Sequence, residues 1–226
     1  MFQGLTFQQI WVIVADAFWP LLEHGLEVSI PLAIISFALG LVLAFLTALA
    51  RISGIKLIAG LAWFYVWIFR GTPLLVQLFI IFYGLPSVGL TLNAYIAAVI
   101  GFTLNVGAYN SEVIRAAIQS VPRGQWEAAN SLGMTYGQSL RRIIIPQASR
   151  VAVPPLANSF ISLVKDTSLA AVITVDELFH VAQEITATTY QPLILYIEAA
   201  FIYLMFCTVL SWVQERLERH LSRYRT

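Results

Sequence analysis

Apolar residues in this chain run in long blocks, and polar residues collect in the gaps between them. Val28–Ala50 carries no charge, and Leu57–Leu85 is interrupted only by Arg70. Asn93–Ile114 holds Glu112 near its end, and Pro192–Val213 encloses Glu198. Ile143–Val164 contains Pro154-Pro155, neither of which can donate a backbone hydrogen bond, so a bend is expected there. A helix needs about 20 mainly apolar residues to cross a bilayer. The pattern therefore predicts an all-α polytopic membrane protein with five transmembrane helices.

Composition agrees. Charged residues make up 11% of the chain and hydrophobic residues 59%, too little charge to cover a water-soluble domain. The net charge of +1 offers no attraction for nucleic acid, and none is expected as a partner. Cys207 is the one cysteine, so no internal disulfide can form. His24, His180 and His220 are scattered, whereas metal sites need clustered ligands, so no metal site is expected.

The distribution of charge sets the orientation. Arg51 and Lys56 follow the first block; Arg115, Arg123, Arg141 and Arg142 lie between the third and fourth; Arg216, Arg219, Arg223 and Arg225 follow the fifth. The N-terminal segment, Pro86–Leu92 and Thr167–Gln191 carry no Lys or Arg. Cytoplasmic loops are the basic ones, so the N-terminus is expected outside and the C-terminus in the cytoplasm. Residues 1–19 mix Trp11, Phe18 and Trp19 with polar residues, as in a segment lying at the interface, and show neither a basic leader nor a cleavage site. Residues 20–215 form the expected five-helix domain, and 216–226 a basic cytoplasmic tail. Within Thr167–Gln191 the apolar part, Ser168–Val175, is too short to span, and Asp176, Glu177 and Glu184 follow it; a short re-entrant or outer-face helix is expected.

The polar insert Pro122–Pro146 would then face the cytoplasm. It is too charged for lipid and too helix-prone for a slack loop, and Gly133 offers a place to turn. It reads Glu127-Ala128-Ala129, three residues, Gly133, nine residues, then Ile143-Ile144-Ile145-Pro146. This spacing resembles the EAA loop of ABC importer permeases, with Ile145 standing where Leu is usual. Phe69–Gln77, Ala108-Tyr109, Glu112, Arg115-Ala116, Ile118, Pro146-Gln147-Ala148 and Phe160–Leu169 are similar to the polar amino acid uptake branch of that family, the last stretch especially to its cystine-type members. The resemblance covers roughly residues 20–220.

It implies a type I ABC importer permease in a bacterial plasma membrane. Two such subunits, identical or paralogous, would form the path. A dimer of cytoplasmic ATPases, which bind the ATP and Mg, would drive it, and an extracytoplasmic binding protein would deliver the amino acid. Glu127, Ala128, Ala129 and Gly133 would form the coupling element. Two small side chains let a partner groove approach the helix backbone, and Glu127 suits the positive end of the helix dipole and a basic partner.

Charge within a span normally faces the protein interior or a wet cavity. Arg70 can hold a carboxylate through two parallel hydrogen bonds, and Asp166 can take an ammonium. Thr72, Asn105, Lys165, Thr167 and Ser168 complete the candidate substrate path. Arg70 with Asp166, or Lys165 with Asp166, could equally form a structural ion pair, and Asn105 a helix–helix hydrogen bond. Ser159 stands where relatives for basic amino acids carry an acid, which points to a neutral or zwitterionic cargo. Cystine leads, ahead of glutamine, glutamate, histidine or arginine. No HExxH, GxSxG or P-loop pattern occurs, so the chain is expected to be a non-catalytic subunit. An ion-coupled secondary transporter is the other class, but no internal repeat supports it.

Overall fold

A computed structural model describes residues 6–222, with side chains to residue 219. Arg223 and Arg225 lie outside the described residues. Within them the chain is helical, with no strand. Helix α1 (Phe7–His24) starts from a capping box in which Thr6 and Gln9 exchange hydrogen bonds. It does not stop at residue 19 but continues through a π-helical turn, Gly25–Ser29, into α2 (Ile30–Ile52). A Cβ on Gly25 would lie 2.8 Å from the Phe206 ring, so only glycine fits there.

The second apolar block departs from expectation. It forms two helices, α3 (Lys56–Gly71) and α4 (Leu74–Phe79), rather than one straight span. Thr72 is extended (φ −121°, ψ 147°), because the ring of Pro73 excludes the helical conformation from the residue before it. Beyond α4 a wide turn, Ile80–Gly84, and a tight one, Leu85–Val88, carry the helical path to Gly89, at φ 87°. The two limbs, Lys56–Gly71 and Leu74–Val88, meet at 106°.

Helix α5 (Ala94–Gln119) begins where the Asn93 side chain accepts the Ile96 N–H at 2.7 Å. The polar insert forms α6 (Arg123–Ser131) and α7 (Tyr136–Ser139). A π-helical turn, Leu140–Ile144, leads into α8 (Ile145–Asp166), which stays helical through Pro154 and Pro155. A 3₁₀ turn, Thr167–Ile173, precedes α9 (Leu178–Thr189), and α10 (Pro192–Ser222) closes the described chain. At 12 residues, about 18 Å, α9 is too short to cross a bilayer.

Three helical stretches among the described residues are long and apolar enough to span: Phe7–Ile52, Tyr136–Ile173 and Pro192–Arg219. The bent α3–α4 pair makes a fourth. Helix α5, the third span expected from the sequence, has the length, 26 residues, but not the apolarity. Its lower half carries Asn105, Asn110, Ser111, Glu112 and Arg115, of which Asn110 and Ser111 are buried in protein.

The chain divides into two compact units. One comprises the N-terminal segment to Ser36, Leu75–Gly101 and Ile161–Ser211. Its core packs Ala17 and Leu21 of α1 against Leu178, Val181 and Ala182 of α9 and Leu195, Ala199 and Ile202 of α10. Beside this apolar cluster sits Glu177, with 0% exposure. Its carboxylate accepts hydrogen bonds from the Tyr203 hydroxyl (2.7 Å), the Ser29 hydroxyl (3.2 Å) and the His180 N–H (2.8 Å). Ser29 also accepts the Leu178 N–H at 3.2 Å. One carboxylate therefore caps α9 and ties it to the start of α2 and the middle of α10. Burial pushes the Glu177 carboxyl above its ordinary range, and these hydrogen bonds, Tyr203 foremost, pull it back.

The other unit comprises Phe37–Leu74, Phe102–Phe160 and the segment from Trp212. Ala117, Ile118 and Val121 of the α5 end pack with Ile144, Ala148 and Ala152. Close helix approach needs glycine here. A Cβ on Gly107 would fall 2.7 Å from the Tyr65 hydroxyl, and one on Gly40 would fall 2.5 Å from Val106. The Tyr65 hydroxyl donates to the Leu104 carbonyl at 2.6 Å.

Glu177→Ala leaves the buried hydroxyls of Ser29 and Tyr203 without their acceptor, which costs about 1–3 kcal/mol per orphaned group. The apparent unfolding temperature in detergent should drop by on the order of 5 °C, less for Tyr203→Phe, which removes one bond and its donor together. An unchanged temperature in Glu177→Ala would show that this carboxylate does not hold the unit together.

Candidate functional site

The insert folds into a short helical hairpin in the second unit. Pro122 precedes the first turn of α6, where its missing N–H is no loss. At the other end Gly133 takes φ 74°, a left-handed conformation that favours glycine. The Met134 N–H donates to the Ala129 carbonyl at 3.1 Å, and the Gly133 N–H donates to the Asn130 carbonyl at 2.9 Å. This is a Schellman closure: two otherwise orphaned carbonyls are satisfied and the chain reverses. Thr135 and Gln138 then form a capping box that starts α7. The rings of Trp126 and Tyr136 stack with centroids 5.3 Å apart, bracing one limb on the other. Gln147 donates to the Gln125 side chain at 3.1 Å and to the Ile143 carbonyl, tying α6 to the base of α8.

The hairpin splits its motif residues between two faces. Ala129 is fully buried beneath α6, whereas Glu127 and Ala128 are exposed. Next to them Leu132 is 79% exposed, a large apolar side chain held in the open by the Gly133 turn. The exposed face of this helix thus presents a carboxylate, one alanine and an uncovered leucine side by side.

Arg70 closes α3 and lines a cleft of about 450 Å³ within the second unit, with Arg51, Trp63, Trp67, Tyr109 and Glu112. Its guanidinium lies 5.4 Å from the centroid of the Tyr109 ring, an attractive cation–π contact. At the other end of this cleft Glu112 pairs with Arg51 at 3.0 Å and with Arg115 at 2.6 Å. The sequence placed Arg115 three residues from Glu112 on one helix face, and the structure pairs them. It could not show Arg51, which arrives from the end of α2. Thr72 is exposed, with its hydroxyl donating to the Ile68 carbonyl at 2.9 Å. Asn105 and Ser159, in the same unit, are half-buried on α5 and α8.

Lys165, Asp166, Thr167 and Ser168 belong to the first unit. There Lys165 and Ser168 line a cleft of about 650 Å³, together with Phe179, Tyr196, Tyr203 and Cys207. A cavity of that size is ordinary for a small-molecule site. The rings of Phe179 and Tyr196 meet at its wall with centroids 5.5 Å apart. Asp166 is half-buried. Thr167 is fully buried, and its hydroxyl donates to the Val164 carbonyl at 2.8 Å. It supports the turn rather than facing the cleft.

The chain matches the family described as binding-protein-dependent transport system inner membrane component over residues 40–223. It belongs to that family. It is 56% identical over 215 residues to the L-cystine transport system permease protein TcyB of Bacillus subtilis (strain 168), covering 95% of this chain and 92% of that protein. To the arginine transport system permease protein ArtQ of the same organism it is 35% identical over 204 residues, 90% of this chain and 93% of that one. The crystal structure of an amino acid ABC transporter with histidines superposes with a TM-score of 0.88 at 36% identity, covering 96% of this chain and 100% of that chain. An inward-facing MetNI methionine ABC transporter, at 19% identity and a TM-score of 0.68, shares the fold. The chain is thus a permease subunit, and α6 with its Gly133 turn is the element that the EAA spacing marked.

Family membership leaves the aromatic walls of both clefts to the structure. Tyr109 enters the sequence pattern only as part of Ala108-Tyr109, and Tyr196 and Tyr203 belong to no motif there. Their spacing from Arg70 or Lys165 in sequence gives no sign of shared clefts. The sole clue was aromatic residues near charged ones in apolar blocks.

Replacing Gly133 with alanine forces a side chain into the left-handed region, at about 1 kcal/mol. Because a Cβ there meets no atom, the effect is purely conformational. Limited proteolysis should cut Gly133→Ala faster than wild type between α6 and α7. Equal rates would mean that the turn does not depend on glycine.

Proposed function

We propose that this chain is the membrane-spanning subunit of an ATP-driven importer that moves L-cystine into the cytoplasm. The observation that carries the energy-coupling half is α6: a capped, exposed helix bearing Glu127, Ala128 and Leu132, closed by Gly133 and braced on α8. The cargo half is supported by 56% identity to an L-cystine permease over nearly the whole chain, and by Ser159 in place of an acid. On this reading α6 docks into a dimer of ATPase subunits, which bind the ATP and Mg. A second permease copy completes the path, and an extracytoplasmic binding protein delivers the cargo.

The basic loops favour five crossings of a bacterial plasma membrane, with the N-terminus outside and the C-terminus in the cytoplasm. The bent α3–α4 pair is one crossing and the more polar α5 another. In the second unit Arg70 is suited to a carboxylate; in the first, Asp166 is suited to an ammonium, with Lys165 and Ser168 on the wall of that unit's own cleft. Arg70 and Lys165 are exposed and Asp166 is half-buried, and hydrogen bonds assisted by their charge are the stronger kind.

The test is uptake into proteoliposomes holding this chain, its ATPase partner and its binding protein. Labelled cystine should accumulate with ATP, and glutamine, glutamate, histidine and arginine should compete poorly. Arg70→Ala and Asp166→Asn should lower uptake about tenfold or more, the equivalent of ~1.4 kcal/mol, while the complex still copurifies. Glu127→Ala should leave the protein in the membrane but separate ATP hydrolysis from uptake. Wild-type uptake in all three variants would sink the reading of these sites, and preferential arginine uptake would sink the cargo.

A further inference from the structure

Three potential metal ligands converge on the outer side of α9. Asp176 stands just ahead of the helix, His180 is four residues on, and Glu184 four further. One donor atom from each lies within 4.8 Å of the others. The sequence argued against a metal because its three histidines are far apart, but the neighbours of His180 are carboxylates, one turn away on each side.

The geometry of the pair at the centre is the informative part. His180 Nδ1 lies 3.2 Å from Asp176 Oδ1. It has no contact with solvent and makes no hydrogen bond, because the approach lacks hydrogen-bond geometry. Two ligand atoms each about 2.1 Å from a tetrahedral zinc stand about 3.4 Å apart, and at most about 4.2 Å apart in any geometry. The His180–Asp176 separation therefore already suits two ligands of one ion. A swing of the exposed Glu184 side chain, whose donor atom lies within 4.8 Å of the other two, brings in the third.

The mount is rigid. The His180 N–H is held by the buried Glu177 carboxylate at 2.8 Å. The opposite face of α9, Leu178, Val181 and Ala182, is packed on α1. Asp176, whose side chain is 72% exposed, and Glu184, also exposed, leave the outer side of the cluster open to water or to a group from a partner.

We propose that Asp176, His180 and Glu184 form a binding site for a divalent transition metal of the zinc class. One imidazole with two carboxylates suits such an ion, whereas magnesium and calcium prefer all-oxygen shells. Binding joins the loop before α9 to its first and second turns. The ion therefore stabilises this helix and, through Glu177, the first unit.

The test uses the detergent-purified full chain and zinc ion, titrated in competition with a fluorescent chelator. Wild type should take up one equivalent, with a rise in apparent unfolding temperature that magnesium and calcium do not reproduce. Glu184→Gln, at an exposed position that leaves the fold intact, should weaken binding roughly tenfold or more, as should His180→Ala. His24→Ala and Cys207→Ser should bind as wild type does. The X-ray absorption edge should show nitrogen and oxygen ligands only. Wild-type affinity in Glu184→Gln and His180→Ala, no zinc uptake by wild type, or a sulfur ligand would each overturn the proposal.

Discussion

Lipid offers no hydrogen bonds to a protein backbone, and the architecture follows from that single restriction. Helices satisfy their own peptide groups, so the chain is helical wherever it is apolar. Each interruption needs a compensating device. At Gly71-Thr72-Pro73 the proline has no N–H to satisfy and the Thr72 hydroxyl reaches back to Ile68, so the sharp bend leaves less unpaired than a break elsewhere would. At the start of α9 the devices are Glu177 and Ser29, which accept the His180 and Leu178 N–H groups.

The same restriction explains where the charges lie. Arg51 counts as a basic loop residue in any reading of topology, yet its side chain is largely buried against Glu112. Glu112 is thereby shared between two arginines, and the polar lower half of α5 becomes a structural seam rather than a lipid-facing surface. Glu177 does comparable work in the first unit, where three helices meet on one carboxylate. Each unit thus turns on a carboxylate between helices, half-buried Glu112 held by guanidinium groups and buried Glu177 held by hydroxyls and main chain.

On the proposed reading α6 passes force to the spans, which needs a part that does not bend, and the hairpin is fixed by a Schellman turn, a capping box, a stacked aromatic pair and a glutamine bridge to α8. Glu127, Ala128 and Leu132 stand exposed on the hairpin. Ala129, the other half of the alanine pair, serves the opposite purpose by packing inward. The motif therefore encodes a seat for the helix as well as its exposed face.

Much of this was legible in the residues alone. Blocks of apolar residues determined the helical class, and the loop arginines set an expected orientation. The spacing from Glu127 to Pro146 identified the family, because it records local requirements: a small-residue face, a left-handed glycine and a return to the membrane. The 106° break was legible in principle at Thr72-Pro73, but continuous hydropathy on both sides concealed it. Only the tertiary structure could decide which distant residues share a cleft. Arg51 reaches Glu112 across 61 positions, and Tyr203 reaches Glu177 across 26. It also buried Thr167, which composition alone would place on the path. The physical reason is that periodicity fixes a residue's place on its own helix, whereas a side chain's partners depend on how helices far apart in sequence pack together.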